Sequence, residues 1–384
     1  MTKQLKTVVI LDQVSGYAQI DIIEALCTKY AKCVLIAGEV KERDKPFPKD
    51  KAQWEKIIRY NRNTSYQRIL TWLIGSFQMF AKVLVKYRNA RIIAVSNPPF
   101  SVFIPWLLKC KYDIVIYDIY PDALVNMGYL SSSNWLVKTW VSLNKKIFSS
   151  AQRVITLSDG MKAILSNYAA PDKIEVIPIW SFNNNLPPVE KADNIILKKL
   201  GVADKFIISY SGNFGVTHPL ESLVELAAKL DPEKFHVIIA GDGARKPIIQ
   251  KAIEKWQPKN LSMLPWQPAE QLHHVLSMGD IGVVVLDDTA SNTSVPSKTY
   301  DLLSAGTSIL GICSKESSLS KILADHRCGV TLRKDNIAGI VELMNEFNSD
   351  TSKLKELSNN AKLASKDYTS KNAYLYIPLG SSEE

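Results

Sequence analysis

Histidine is missing from the first 217 residues of this 384-residue chain; all five (His218, His236, His273, His274 and His326) come later. The first half therefore offers no imidazole base. Neither G-x-S-x-G nor G-x-x-x-x-G-K-[ST] occurs, which excludes the hydrolase nucleophile elbow and the phosphate-binding P-loop. The five cysteines (Cys27, Cys33, Cys110, Cys313, Cys328) form no C-x-x-C and have no histidine at ligand spacing. They read as reduced core thiols of a cytosolic protein, not as a zinc site. A continuous apolar run is lacking too. The longest, residues 69–81, is interrupted by Gly75, Ser76 and Gln78 and falls short of the ~20 residues of a membrane span, so none is expected. Residues 1–6 lead straight into a strand pattern at 7–11, without the features of a secretory leader. Acids are nearly absent between residues 51 and 111, where Glu55 alone faces eleven lysines and arginines. The net charge of +9 is thus a local feature of that window.

What is present is an α/β pattern. With 46% hydrophobic and 22% charged residues the chain is globular, and its length suits two domains better than one. Apolar strands are expected at 7–12, 32–37, 91–95, 113–118, 153–157 and 174–179. Helices fit between them at 21–30, 66–87, 101–109 and 134–148. The pattern breaks at the turn-rich residues 181–188 and restarts with strands at 206–211, 236–240, 261–264, 281–286, 308–312 and 329–332. Helices at 220–230, 245–256, 268–278, 297–304 and 318–323 separate these. Strands apolar on both faces and alternating with helices predict parallel, doubly wound sheets. The domains expected are 1–180, a linker at 181–205, a second domain at 206–364, and a C-terminal segment at 365–384.

The run Val295-Pro296-Ser297-Lys298-Thr299-Tyr300-Asp301 follows an expected strand and opens an expected helix, with proline suited to its first turn. A helix N-terminus plus the Lys298 charge suits a phosphate, and Asp301, one turn deeper, suits a ribose diol. A capped surface helix with a Lys298–Asp301 pair fits the same residues. Gly212 and Asn213, in the loop that reaches His218, and Gly241, in the turn before Arg245, also follow expected strands. In the first half, Asp118 and Asp122 flank a strand end and a turn proline, placed for acid–base or hydroxyl-binding work. Both also suit loop or cap duties. Gly16 and Asn97 end neighbouring strands. The segment 66–88 combines large apolar and aromatic residues with cations at its ends, as does a helix lying in a membrane interface; a core helix with a basic edge is the alternative.

The order of these segments resembles the retaining glycosyltransferases of family 4. Carrying the resemblance are Tyr117-Asp118-Ile119-Tyr120-Pro121-Asp122, Val176-Ile177-Pro178-Ile179-Trp180, Tyr210-Ser211-Gly212-Asn213-Phe214-Gly215, Gly241-Asp242-Gly243 and residues 295–306. Most similar is the subgroup that builds bacterial O-antigen and capsule, including L-fucosamine transferases. The resemblance implies a GT-B fold, two Rossmann-like doubly wound domains facing a central cleft. It implies a UDP-sugar donor bound by the second domain and no metal or other cofactor; no nucleic acid is expected, because the basic window holds no recognised reading motif. The expected acceptor is a polyprenyl-diphosphate-linked saccharide bound by the first domain, with the enzyme peripheral on the inner face of the cell membrane through segment 51–111. Lys82, Lys86 and Arg88 are the cations expected to meet anionic lipid. Ser297, Lys298, Gly212, Asn213 and Arg245 fall to the diphosphate, Asp301, Gly241 and Trp266 to the nucleoside, Gly16, His218 and Ser294 to the sugar, and Asp118 and Asp122 to catalysis. The chain departs from the family's E-x7-E pattern, with Thr293 and Asp301 at the two positions. Asn213 and His218 stand where relatives carry an arginine and a lysine. An inactive scaffold subunit and a sugar-nucleotide epimerase are the alternatives.

Overall fold

The structure is a computed structural model describing residues 5–42, 45–61, 63–126, 128–182, 189–291 and 295–378. Two units divide it: Met1–Ile179 with Ser370–Glu384, and Trp180–Thr369.

The first unit is built on strands β1 (Leu5–Leu11), β3 (Tyr30–Ala37), β5 (Ala52–Lys56), β6 (Arg91–Val95), β7 (Tyr112–Ile116), β8 (Arg153–Thr156) and β9 (Ile174–Val176). They form one parallel sheet in the order β5-β3-β1-β6-β7-β8-β9. Two-residue strands β2 (Val14–Ser15) and β4 (Glu39–Val40) pair beside it. Val9, Leu11, Val34, Ile36, Ile92, Ala94, Ile114 and Ile116 are buried in one core beneath the sheet, as expected of parallel strands covered by helices. The C-terminal turn Ser370–Tyr376 packs on the helix Tyr17–Cys27 of this unit.

The second unit repeats the plan with β10 (Phe206–Asn213), β11 (Phe235–Asp242), β12 (Leu261–Leu264), β13 (Ile281–Val285), β14 (Ser308–Ile312) and β15 (Gly329–Leu332), all parallel, in the order β12-β11-β10-β13-β14-β15. Side chains alternate across β10: Phe206, Ile208 and Tyr210 enter one core, Ile207 the other. In both sheets chain order reverses beside the first strand, between β1 and β6 and between β10 and β13. Ligands of doubly wound sheets bind outside the carboxyl ends of the strands at such points.

Three features differ from the sequence reading. Strand β5 (Ala52–Lys56) was not expected, because this edge strand reads Ala-Gln-Trp-Glu-Lys, with little apolar alternation. The stretch 181–205 is not all connector: beyond residues 183–188, which lie outside the described residues, the helix Ile195–Leu200 buries Ile196 and Leu197 in the second unit's core. And one helix, Ser65–Tyr87, is long and apolar enough to cross a membrane by length and composition. Its α-helical part, Ser65–Lys82, starts at Thr64, whose side chain accepts from the Gln67 amide (3.1 Å). Thr71, Trp72, Gly75 and Met79 are buried against the unit, whereas Tyr66, Leu73 and Phe77 are 74%, 52% and 71% exposed.

Candidate functional site

The switch point of the second unit is where the sequence-predicted residues meet. β10 ends at Gly212-Asn213, and the helix Lys298–Ala305 begins beside it, after the loop that leaves β13. Lys298 reaches under the end of β10: its Nζ sits 3.4 Å from the centroid of the buried Tyr210 ring. A Cβ on Gly212 (φ +134°) would stand 2.9 Å from that nitrogen, so this position demands glycine both for its backbone and for the ammonium. Nζ is itself buried and has no hydrogen-bond partner among the described residues. Burial pushes its pKa well below the usual lysine range. An amino group held against an aromatic face, with no described carboxylate beside it, regains its proton when an anion arrives, so the place suits an anion.

His218 lies across the same ring. Its Nδ1 is 3.0 Å from the Asn213 carbonyl, which also accepts the Tyr210 hydroxyl at 2.8 Å. A carbonyl only accepts, so Nδ1 carries the proton and Nε2 is left as an acceptor. Burial, and then the nearby Lys298 charge, lower the His218 pKa and favour this neutral form. Gly241 packs its backbone on Gly212, where a Cβ would meet the Gly212 oxygen at 1.9 Å. The β10 and β11 ends therefore approach as only bare backbone allows.

Other predicted residues have different surroundings. Arg245 forms an ion pair with Glu221 and donates to the Val216 carbonyl (3.0 Å), so its guanidinium is engaged within the protein. Asp301 accepts a hydrogen bond from the buried Ser181 hydroxyl at 2.8 Å. Ser297 precedes the helix and is exposed, without a side-chain cap bond. Trp266, just past β12, is 59% exposed, a flat surface available for stacking. Ser294 and Thr293 lie outside the described residues.

In the first unit the two aspartates part company. Asp122 accepts a hydrogen bond from the Tyr168 hydroxyl, which holds its carboxylate in place. Asp118, past the end of β7, is exposed and no hydrogen-bond partner is found for its carboxylate among the described residues. Desolvation by the surrounding protein still raises its pKa. Gly16 caps the helix Tyr17–Cys27 and donates its amide to Gln19 Oε1 (3.0 Å). Only that oxygen lies within 4.0 Å of where a Cβ would stand, so the backbone here is approachable.

Sequence reasoning missed Asp12, at the switch point beside β1. It is buried, takes hydrogen bonds from Ser15 Oγ (3.2 Å), the Val14 amide (3.3 Å) and Asn97 Nδ2 (3.2 Å), and burial lifts its pKa to about 8 against these lowering bonds. A carboxyl with a raised folded pKa contributes stability that is complete below the unfolded value near 4 and is lost as pH rises through about 8. Asp12→Asn, an isostere of the neutral acid, should remove that loss, worth on the order of a few kcal/mol. The variant should melt several degrees above the parent at pH 9 and close to it at pH 5; parallel melting curves at both pH values would refute this.

The expected membrane cations need revision as well. Lys82 (2.8 Å) and Lys86 (3.1 Å) both pair with the buried Glu55, the one acid of the basic window. Burial would raise the Glu55 pKa, but hydrogen bonds from Lys82, Tyr87 and Lys86 outweigh it and bring it to about 2. These lysines hold the helix to β5.

Residues 193–364 match the family of glycosyl transferases group 1. The chain is 22% identical over 298 residues to a probable glycosyltransferase, WbjE, of Pseudomonas aeruginosa, covering 76% of this chain and 74% of the relative. It is 29% identical over 197 residues to a putative colanic acid biosynthesis glycosyl transferase, WcaI, of Escherichia coli, covering 50% and 48%. Among solved structures, Anabaena HepE in complex with UDP superposes with a TM-score of 0.71 at 14% identity, covering 97% of this chain and 98% of that one. The lipopolysaccharide glycosyltransferase WaaG gives 0.68 at 12% identity, covering 97% and 100%. These are GT-B structures, and both units have the Rossmann strand order of that fold.

Proposed function

We propose that this chain, GT-B in fold and matching the glycosyl transferases group 1 family over residues 193–364, is a glycosyltransferase that moves a hexose or N-acetylated deoxyhexosamine from a UDP-sugar to a lipid-linked saccharide in bacterial surface-polysaccharide synthesis. The observation that carries the donor half is Lys298, whose amino group is buried without a hydrogen-bond partner among the described residues at the switch point of the second unit. In a low-dielectric setting it offsets the charge that develops on a departing diphosphate. His218 Nε2 accepts from a sugar hydroxyl, Asp301 meets the ribose, and Trp266 stacks on the base. HepE, of the same fold, has been captured with UDP and with UDP-glucose.

For the acceptor half, Asp118 is the carboxylate of the first unit with room for an incoming hydroxyl. The reaction retains the anomeric configuration and needs no metal, with the leaving phosphate taking the acceptor's proton and Lys298 carrying the compensating charge. The names of WcaI and WaaG, tied to colanic acid and lipopolysaccharide synthesis, support a surface-polysaccharide role.

The helix Ser65–Lys82 lies flat on the cytoplasmic membrane face in this reading. Spanning would strip Met79 and Val83, both fully buried, from the first unit's core. Its outer stripe of Tyr66, Ile69, Leu73 and Phe77 instead enters the headgroup–acyl boundary. Thermal shift with UDP-, GDP- and dTDP-sugars tests the donor class, because a ligand of the folded state alone raises its stability. UDP and at least one UDP-sugar should raise the melting temperature; a shift by GDP- or dTDP-sugars alone would overturn the assignment.

A further inference from the structure

One cation of the basic window is held between aromatic rings, without a described carboxylate. The Arg68 guanidinium carbon lies 5.7 Å from the centroid of the Trp72 ring and 5.8 Å from that of Tyr129. Its Nε is buried without a hydrogen-bond partner, and none of the described carboxylates pairs with it. Trp72, one turn on, is buried, and its Nε1 also lacks a partner. Two donors on one helix turn are thus buried and unsatisfied by the protein, and such donors ordinarily find a partner in ordered water or in a ligand.

The surroundings indicate which ligand. Tyr60 stacks parallel on Trp72 (5.8 Å, 2°) and, with Ile58, Arg59, Asn61, Asn63 and Thr71, lines an open cavity of about 510 Å³. On another side Trp72 meets Tyr120 edge-on (5.8 Å, 75°), two residues beyond Asp118. Aromatic faces with amide side chains suit a saccharide. Arg68 stands on the inner side of the helix, among the positions that face the unit, while Leu73 and Phe77 stand on the outer side. A helix is ~10 Å across, so with its outer stripe at the acyl boundary its inner side lies at headgroup depth.

We propose that Arg68, clamped by Trp72 and Tyr129 and helped by the Trp72 indole N–H, binds the phosphate of the lipid-linked acceptor. The lipid then runs along the outer stripe of the helix and the saccharide along the Tyr60 cavity toward Asp118. The assignment rests on the acceptor class proposed above. An arginine fork matches phosphate oxygens, and stacking between rings keeps the fork oriented.

The test uses the full chain with farnesyl diphosphate in micelles, and compares farnesol, inorganic pyrophosphate and phosphatidylglycerol vesicles. Arg68→Gln should weaken farnesyl diphosphate binding about tenfold or more, leaving farnesol binding, vesicle sedimentation and the UDP thermal shift at parental levels. Tyr129→Leu, at an exposed position and so without risk to the fold, should weaken the same probe to a smaller degree. If Arg68→Gln and Tyr129→Leu bound farnesyl diphosphate like the parent, the phosphate site would be elsewhere while the acceptor class stood. If vesicle sedimentation fell by the same factor, Arg68 would be reading bulk phospholipid and the proposal would fail. A parent that bound UDP but not farnesyl diphosphate would overturn the acceptor class itself, and this site with it.

Discussion

Lys298→Met is expected to do two opposite things: lose UDP binding by at least about 100-fold and melt a few degrees higher than the parent without ligand. The first effect follows from removing the cation of a buried charge pair, which costs about 3–5 kcal/mol when the partner anion is left in place. The second follows because the free protein keeps that amino group desolvated against Tyr210, without a partner among the described residues. Methionine fills similar volume without the desolvation cost, on the order of 1–3 kcal/mol. Proton bookkeeping adds a signature. Burial depresses the Lys298 pKa in the free protein, and a bound diphosphate raises it again, so binding takes up protons at pH values between the two. Calorimetry in buffers of different ionisation enthalpy should show uptake for the parent and none for the variant. A variant that bound UDP normally, or melted lower in the free state, would contradict the assignment.

The second large effect concerns the membrane. Leu73→Glu with Phe77→Glu should reduce sedimentation with anionic vesicles by at least about 100-fold, while the UDP thermal shift persists. Both residues are more than half exposed, so the folded state loses little. Each contributes roughly 1.5–3 kcal/mol of apolar transfer to the interface, and each new carboxylate adds repulsion of about 1 kcal/mol from anionic lipid. Charge reversal at Lys82 and Lys86 is a poorer probe. It would leave Glu55, 6% exposed, facing like charges, and unfold β5 from the helix before reporting on lipid. Unchanged sedimentation of the Leu73–Phe77 double variant would remove the outer stripe from the docking surface.

Runs such as Val8-Val9-Ile10-Leu11 and Val283-Val284-Val285 announced both sheets, because strands buried on two faces are apolar at every position. Lys298 stood out in the sequence because it opens a helix after a strand, though a capped surface helix fitted the same residues. Its setting was not legible. Tyr210, which carries the ammonium, is 88 residues earlier, and nothing local marks a strand tyrosine as the floor of a site. Long-range pairing also misled the reading of the basic window. Glu55 is 27 and 31 residues from the lysines it holds, so cations spent inside the fold read as a free surface patch. The tyrosine that holds Asp122 was hidden for the same reason, since Tyr168 lies 46 residues away. Asp12 was overlooked because a strand-end aspartate ordinarily meets water, and only the packed loops around Ser15 and Asn97 bury it.

The account stands most directly on whether sugar leaves the donor for a lipid. The purified chain would be incubated with radiolabelled UDP-sugars and a polyprenyl-diphosphate-linked monosaccharide, then extracted with organic solvent. Label should enter the organic phase from at least one UDP-sugar, only when the lipid acceptor is present, and not with Lys298→Met. Donor that is bound but never consumed, or label that stays in the aqueous phase as an isomerised sugar nucleotide, would contradict transfer and leave a scaffold or an epimerase in its place.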